Sequence, residues 1–242
     1  MRYLMTFSYD GSNYYGYQVQ NNKVTVQGEI EACLTKINGN NKVKIVGSGR
    51  TDRGVHANNQ KAHFDYKEID TNKLRNSLNK LLPDDIYIKM LEKVSDDFHA
   101  RFDIKKKEYI YKINMGEYNP IEKDYVYQFN KPLNIDKMKE ASRYLLGEHN
   151  FKSFTKTDEE KDDYVRTIYD IEYIVKDDTL TIKFVGSGFL RYMIRNIVGL
   201  LVEVGQEKVN PDVTKTILDS QDRTKAFKTF SPNGLYLNQV YY

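Results

Sequence analysis

Gly47-Ser48-Gly49-Arg50-Thr51-Asp52-Arg53-Gly54-Val55-His56-Ala57 places one carboxylate, Asp52, between two arginines in a glycine-flanked loop that leaves a short apolar run. The glycines let the backbone turn sharply and let a second molecule approach closely. The arginines hold a carboxylate ionised and are also suited to phosphates. Loops positioned by a rigid sheet are where catalytic groups commonly lie. Local chemistry alone also fits a tight surface turn, in which Asp52 caps the backbone and pairs with an arginine.

Working outward, residues 43–46 read as a short apolar strand before the loop, and residues 60–66 as a strand after it, with Ala62 and Phe64 on one face. Residues 2–10 alternate and end in the turn Asp10-Gly11-Ser12-Asn13. Residues 25–37 put Val26, Ile30, Cys33, Leu34 and Ile37 on one helical face. Residues 71–82 do the same with Leu74, Leu78 and Leu81 and stop at Pro83; residues 86–94 form the next strand. Further on, residues 108–115 read as a strand, and residues 135–146 as a helix through Met138, Ala141, Tyr144 and Leu145, capped by Gly147. Residues 166–175 and 179–185 form a hairpin around Lys176-Asp177-Asp178. Residues 189–204 form the longest helix, followed by a helix over 211–218 and a closing strand over 234–241. Strands outnumber helices and hairpins occur, so the expected class is α+β, a largely antiparallel sheet with helices packed on one face. No Gly, Ser or Pro-rich linker divides the chain. Two halves, 1–104 with the Asp52 loop and 105–242, show similar element order without a repeat by residue identity. Residues 155–163 are polar and acidic and read as a solvated loop.

The 242 residues suffice for one large domain or two closely packed small ones. The single cysteine, Cys33, excludes an internal disulfide and fits a reducing, cytoplasmic setting. Met1-Arg2-Tyr3-Leu4-Met5-Thr6 enters a strand pattern directly, so no secretory segment is expected. The most apolar stretch, 189–205, carries Arg191, Arg195 and Glu203 and is too short and too charged to span a bilayer. A net charge of +3 is only mildly basic. The chain has 20 Tyr and no Trp; base stacking is one use for exposed tyrosines, but core packing is the ordinary one. His56, His63, His99 and His149 lack zinc spacing, and Cys33 sits on an apolar helix face, so no metal site is expected. Asp84-Asp85 and Asp96-Asp97 read as turns and caps, which leaves one well-placed acid instead of the opposed pair a glycosidase needs. A non-catalytic RNA-binding protein would keep the basic and aromatic surface without needing Asp52 beside Gly54.

A family resemblance selects among these readings. Gly49-Arg50-Thr51-Asp52-Arg53-Gly54-Val55-His56-Ala57 resembles the signature loop of the TruA-type pseudouridine synthases. Tyr9-Asp10-Gly11-Ser12-Asn13-Tyr14-Tyr15-Gly16-Tyr17-Gln18 resembles the family's opening strand and turn. Leu82-Pro83-Asp84-Asp85-Ile86 and Phe98-His99-Ala100-Arg101-Phe102 resemble its middle segments, and Lys107-Glu108-Tyr109-Ile110-Tyr111 its tyrosine-bearing strand. Phe189-Leu190-Arg191-Tyr192-Met193-Ile194-Arg195-Asn196-Ile197-Val198-Gly199 resembles its long active-site helix, and Gly234-Leu235-Tyr236-Leu237 its closing strand. The matches occur in order and cover nearly the whole chain. Tyr17 departs from the pattern, standing where the family usually has Trp.

The resemblance implies a pseudouridine-synthase fold, two similar α/β halves sharing a sheet around a central RNA-binding cleft. It implies isomerisation of uridine in tRNA. The N1–C1′ bond breaks, the base rotates and C5 bonds to C1′. No electrons or atoms are imported, so neither cofactor nor metal is expected. Asp52 would act as nucleophile or base, and Arg195 would be its counter-charge. Tyr109 would stack on the flipped base, and Arg50 would help to extrude it. Leu235 would line the pocket wall. Lys105, Lys106, Lys107 and Arg53 would contact phosphates. The resemblance further implies a homodimer acting on uridines about positions 38–40 of the anticodon stem-loop, which must be flipped out to be reached.

Overall fold

The computed structural model describes residues 1–156 and 163–242, so residues 157–162 of the expected acidic loop lie outside the described residues. The chain divides into two compact units, Met1–Lys105 with Tyr236–Tyr242, and Lys106–Leu235. Residues 236–242 therefore group with the first unit, not with the C-terminal half in which the sequence reading placed them. The α+β expectation holds: strands predominate, most pair antiparallel, and helices pack beside them.

The first unit contains β1 (Arg2–Tyr9), α1 (Val26–Ile37), β2 (Val46–Gly47), β3 (His56–Asp65), α2 (Thr71–Leu81) and β4 (Ile86–Val94), with β1 between β4 and β3 in the sheet. Both neighbours of β1 run antiparallel to it, with Met5 opposite Ala62 and Leu91. Its continuous buried run, Tyr3 to Phe7, is what a strand covered on both faces requires. Thr25 accepts the Gly28 N–H and starts α1, which buries Val26, Ile30, Cys33 and Leu34. Asp70 caps α2 in the same way. There Leu74 and Leu78 are buried, but Leu81, which the helical spacing aligns with them, is exposed at the last residue of the helix. Asn79 accepts from the Ile88 N–H at 2.8 Å and donates to its carbonyl at 2.9 Å, tying α2 to β4.

Two boundaries differ from expectation. Residues 43–45 are not a strand. The Val43 N–H bonds to Thr35 Oγ1 and the Ile45 N–H to Glu31 Oε1, so helix side chains take the groups a partner strand would have used. In addition, β3 begins at His56, four residues before the expected start at Gln60. The reason is a distant partner. In β10 (Leu235–Tyr241), Tyr236 and Leu237 pair parallel with His56 and Ala57. Asn58 and Asn59 then bond to Asn238, so a polar stretch that reads as loop is held in a strand.

The second unit contains β5 (Lys106–Asn114), β6 (Tyr127–Gln128), α3 (Ile135–Arg143), β7 (Gly147–Asn150), β8 (Val165–Lys176), β9 (Thr179–Gly186), α4 (Met193–Gly205) and α5 (Val213–Ser220). Its sheet runs β5-β9-β8-β7, with β6 parallel to β5. The hairpin is as expected, with Lys176 opposite Thr179 and Asp177 left-handed in the two-residue turn. Helix α3 ends at Arg143, not at residue 146. Leu145 and Leu146 continue in tighter turns, and Gly147 opens β7 opposite Ile168 instead of capping the helix. The helix read over 211–218 runs two residues later, with Asp212 at its N-cap.

Helix α4 starts at Met193, not at residue 189, because Tyr192 is left-handed (φ 65°) and a right-handed helix cannot pass through it. Every residue of α4 except Arg195 and Glu203 is buried, which makes it the central helix of this unit. Gly199 lets the chain approach: a Cβ there would lie 2.3 Å from the Lys228 carbonyl oxygen. No helix among the described residues is long and apolar enough to cross a membrane.

Candidate active site

The Asp52 loop of the first unit is braced on both flanks. Upstream, the buried Ser48 donates its N–H to Lys61 O at 2.7 Å and its hydroxyl to Gln60 Oε1 at 2.6 Å, while Gln60 Nε2 donates to Gly49 O at 3.1 Å. Thr51 Oγ1 lies 2.8 Å from the Tyr9 hydroxyl, and Thr51 O accepts the Tyr17 N–H at 3.1 Å. Burial pushes the Tyr9 phenol well above its ordinary range, so it remains neutral as a hydrogen-bonding strut. Downstream, the Val55 N–H closes a turn onto Asp52 O at 3.1 Å, with Gly54 at φ 77° in a region side chains disfavour. His56, buried at the head of β3, accepts the Gly11 N–H at Nδ1 and stacks on Tyr236 with centroids 4.7 Å apart. The loop thus holds Asp52 half-buried, between Arg50 and Arg53, which are both exposed. Tyr17 is buried, and its hydroxyl has no hydrogen-bond partner among the described residues. The position where the family usually has Trp thus carries a ring whose polar tip is unsatisfied.

In the second unit, Tyr109 and Tyr111 occupy one face of β5, two residues apart. Tyr111 is 0% exposed, donates its hydroxyl to Ser231 O at 2.7 Å, and has its phenol driven far upward by burial. Tyr109 is 8% exposed and meets Phe189 edge-on at 5.3 Å. Arg195 lies in the first turn of α4, half-buried. Its Nε donates to Phe230 O at 2.7 Å, while the Phe230 N–H donates to Arg195 O at 3.1 Å. This reciprocal clamp fixes the plane of the guanidinium. Arg191, inside the helix expected from residue 189, instead precedes it, and its exposed guanidinium lies 5.2 Å from the Tyr192 ring centroid, on which Arg195 also sits at 4.9 Å.

The remaining residues read from the sequence are dispersed. Leu235 is buried, its N–H bonded to Pro232 O. Lys105 is exposed at the end of the first unit, its N–H bonded to Tyr241 O. Lys106 and Lys107 are not a free basic run: they open β5, where Lys107 pairs with Gly186 and is half-buried. Three features escaped the sequence reading. Tyr15 carries Lys23 and Arg53 on its ring. Tyr192 is bracketed by two arginines. A cavity of about 370 Å³ is lined by Lys156, Tyr192, Arg223, Thr224, Ala226 and Thr229. Burial lowers the Arg223 pKa, and its guanidinium is held by Asn196, Thr229 and Ala226. Folding brings Arg53 to Tyr15, whereas Arg191 and Arg195 are near sequence neighbours of Tyr192.

Comparison with known proteins gives this arrangement a family. The family model described as tRNA pseudouridine synthase matches residues 5–103 and 141–242. A protein of Bacillus cereus named tRNA pseudouridine synthase A 1 is 44% identical over 239 residues, covering 98% of this chain and 97% of its own. A Listeria monocytogenes protein named tRNA pseudouridine synthase A is 45% identical over 245 residues, covering 100% and 99%. The chain belongs to the tRNA pseudouridine synthase family. It is an isomerase acting on tRNA, akin throughout its length to the proteins named tRNA pseudouridine synthase A.

Proposed function

We propose that this chain converts uridine to pseudouridine in the anticodon stem-loop of tRNA, with Asp52 as the catalytic carboxylate. The reaction breaks N1–C1′ and forms C5–C1′. A proton leaves C5 and N1 ends protonated, so atoms and electrons balance without a cofactor. Asp52 acts as nucleophile or as base. Arg195 is its proposed counter-charge: a unit pair at about 4 Å is worth on the order of 4 kcal/mol at an effective dielectric of 20, enough to offset moderate desolvation. Tyr109 supplies the face on which the extruded base stacks, Leu235 a wall of its pocket, and Arg50 the group that helps displace it. Arg53 and Lys105 to Lys107 contact phosphates. The enzyme works as a homodimer in the cytoplasm, where tRNA is found.

The observation that carries this reading is the bracing of Asp52. Ser48 and Thr51 are hydrogen-bonded to β3, Tyr9 and Tyr17, and Val55 closes a turn onto Asp52 O, leaving a half-exposed carboxylate at a fixed place between two exposed arginines. A tRNA transcript carrying tritium at uridine C5 tests it. The protein should release tritium only from transcripts with uridines about positions 38–40, the base having first to leave its stack. Release that persists after those uridines are replaced by cytidine would move the target elsewhere.

A further inference from the structure

Tyr15 is exposed, and two cations sit on its ring, Lys23 Nζ 4.4 Å and Arg53 Cζ 4.3 Å from the centroid. The three residues bring together the turn after β1 and the Asp52 loop, both in the first unit. That junction is built. Tyr17 donates its N–H to Thr51 O, and Gly16 lies so close that a Cβ would meet Thr51 O at 2.8 Å. Tyr15 is itself fixed by its N–H on Val24 O at 3.0 Å and its carbonyl on Gln20 Nε2 at 2.7 Å.

Two cations near one ring centroid lie within a Debye length of each other, about 10 Å at 0.1 M salt, and repel. Some surface lysines are compensated by a carboxylate, such as Lys137 by Glu207 and Lys183 by Glu172. Among the described residues neither Lys23 nor Arg53 has a carboxylate partner. The face of the tyrosine ring attracts both and holds them where repulsion would part them. Such an arrangement is completed by an anion. Arg53 directly follows Asp52 in the chain, so the cation pair is anchored on the loop that carries the carboxylate.

We propose that Lys23 and Arg53, held by Tyr15 as a positioning residue, form a subsite for RNA backbone phosphates beside the uridine that is extruded. Backbone contacts set register without reading sequence, and a nucleotide can be flipped only if the strand flanking it is held. The subsite rests on the RNA reading given above.

The test uses the full chain and an unmodified tRNA transcript, measuring the dissociation constant against KCl concentration together with kcat and KM for tritium release. Each phosphate contact removed should lower the slope of log affinity against log salt by about 0.7–0.9. The double variant Lys23→Gln/Arg53→Gln should therefore lose about 1.4–1.8 of slope and bind about tenfold more weakly at 0.1 M salt, with KM raised and kcat nearly unchanged. Tyr15→Phe keeps the ring and should behave as wild type. Tyr15→Leu frees both cations and should weaken binding with the slope largely kept. Wild-type affinity and slope in the double variant, while the wild type turns over, would overturn the subsite and leave the RNA reading standing. A lowered kcat with unchanged slope would also overturn it, by showing that the ring only braces the loop. A wild type that neither binds nor turns over tRNA would overturn the RNA reading itself.

Discussion

Tyr109 and Tyr111 share one face of β5, yet their surroundings assign them different work. Tyr111 is closed in and its hydroxyl is committed to Ser231 O, so it serves the core. Tyr109 lies against Phe189 and is the proposed stacking face. Tyr109→Phe keeps that face and removes only the hydroxyl, whereas Tyr109→Leu removes both. Stacking contributes about 1–3 kcal/mol per base, so the Leu variant should lose both tight binding of the flipped state and turnover. If the hydroxyl also helps remove the C5 proton, the Phe variant should bind RNA normally and turn over far more slowly. Single-turnover tritium release and filter binding separate these cases. Normal turnover in the Leu variant would show that the wrong tyrosine was selected.

At the scale of elements, α4 is the part whose packing is least forgiving. A glycine inside a helix usually gains about 1 kcal/mol of stability when changed to alanine. At Gly199 the new Cβ would meet a backbone carbonyl, Lys228 O, which has little room to move. Gly199→Ala should therefore destabilise by about 1–3 kcal/mol, read as a lower urea midpoint with unchanged slope. A raised midpoint would mean the Lys228 segment yields freely. The same helix shows where the sequence was legible. Its apolar run and Arg195 were readable, because burial leaves a compositional trace. Its start was not, because a left-handed tyrosine leaves none. Likewise, α1, β4 and the β8–β9 hairpin carry their own caps, periodicity and turn residues and were readable at their stated places. The early start of β3 depends on β10, nearly 180 residues away. The loss of the strand at 43–45 depends on Glu31 and Thr35. Within the site, the Asp52 loop stood out by its residues but its role came from the family resemblance, whereas the Tyr15 cluster exists only because folding brings Arg53 to that ring.

At the scale of the whole molecule, the abundance of tyrosine has a thermodynamic consequence. Tyr9, Tyr17 and Tyr111 are buried, and burial raises each phenol above its ordinary value. In the unfolded chain a tyrosine ionises near pH 10. A raised folded pKa means that full stability is present below that pH and is lost as pH rises through the folded value. Each such phenol should cost about 1.4 kcal/mol per pH unit above about pH 10. Urea midpoints should therefore be flat from pH 8 to 9.5 and fall steeply beyond pH 10, and Tyr111→Phe should make the fall shallower. A midpoint unchanged between pH 9.5 and 11 would mean these phenols ionise in place.

A named relative aligns over the whole chain, and the proposed chemistry converges on one carboxylate. The most direct measurement is tritium release by Asp52→Asn, a nearly isosteric change that removes charge and basicity together. The account predicts a folded protein with wild-type thermal transition and undiminished tRNA affinity that releases no tritium above background. Release by purified Asp52→Asn at more than a small fraction of the wild-type rate would contradict it.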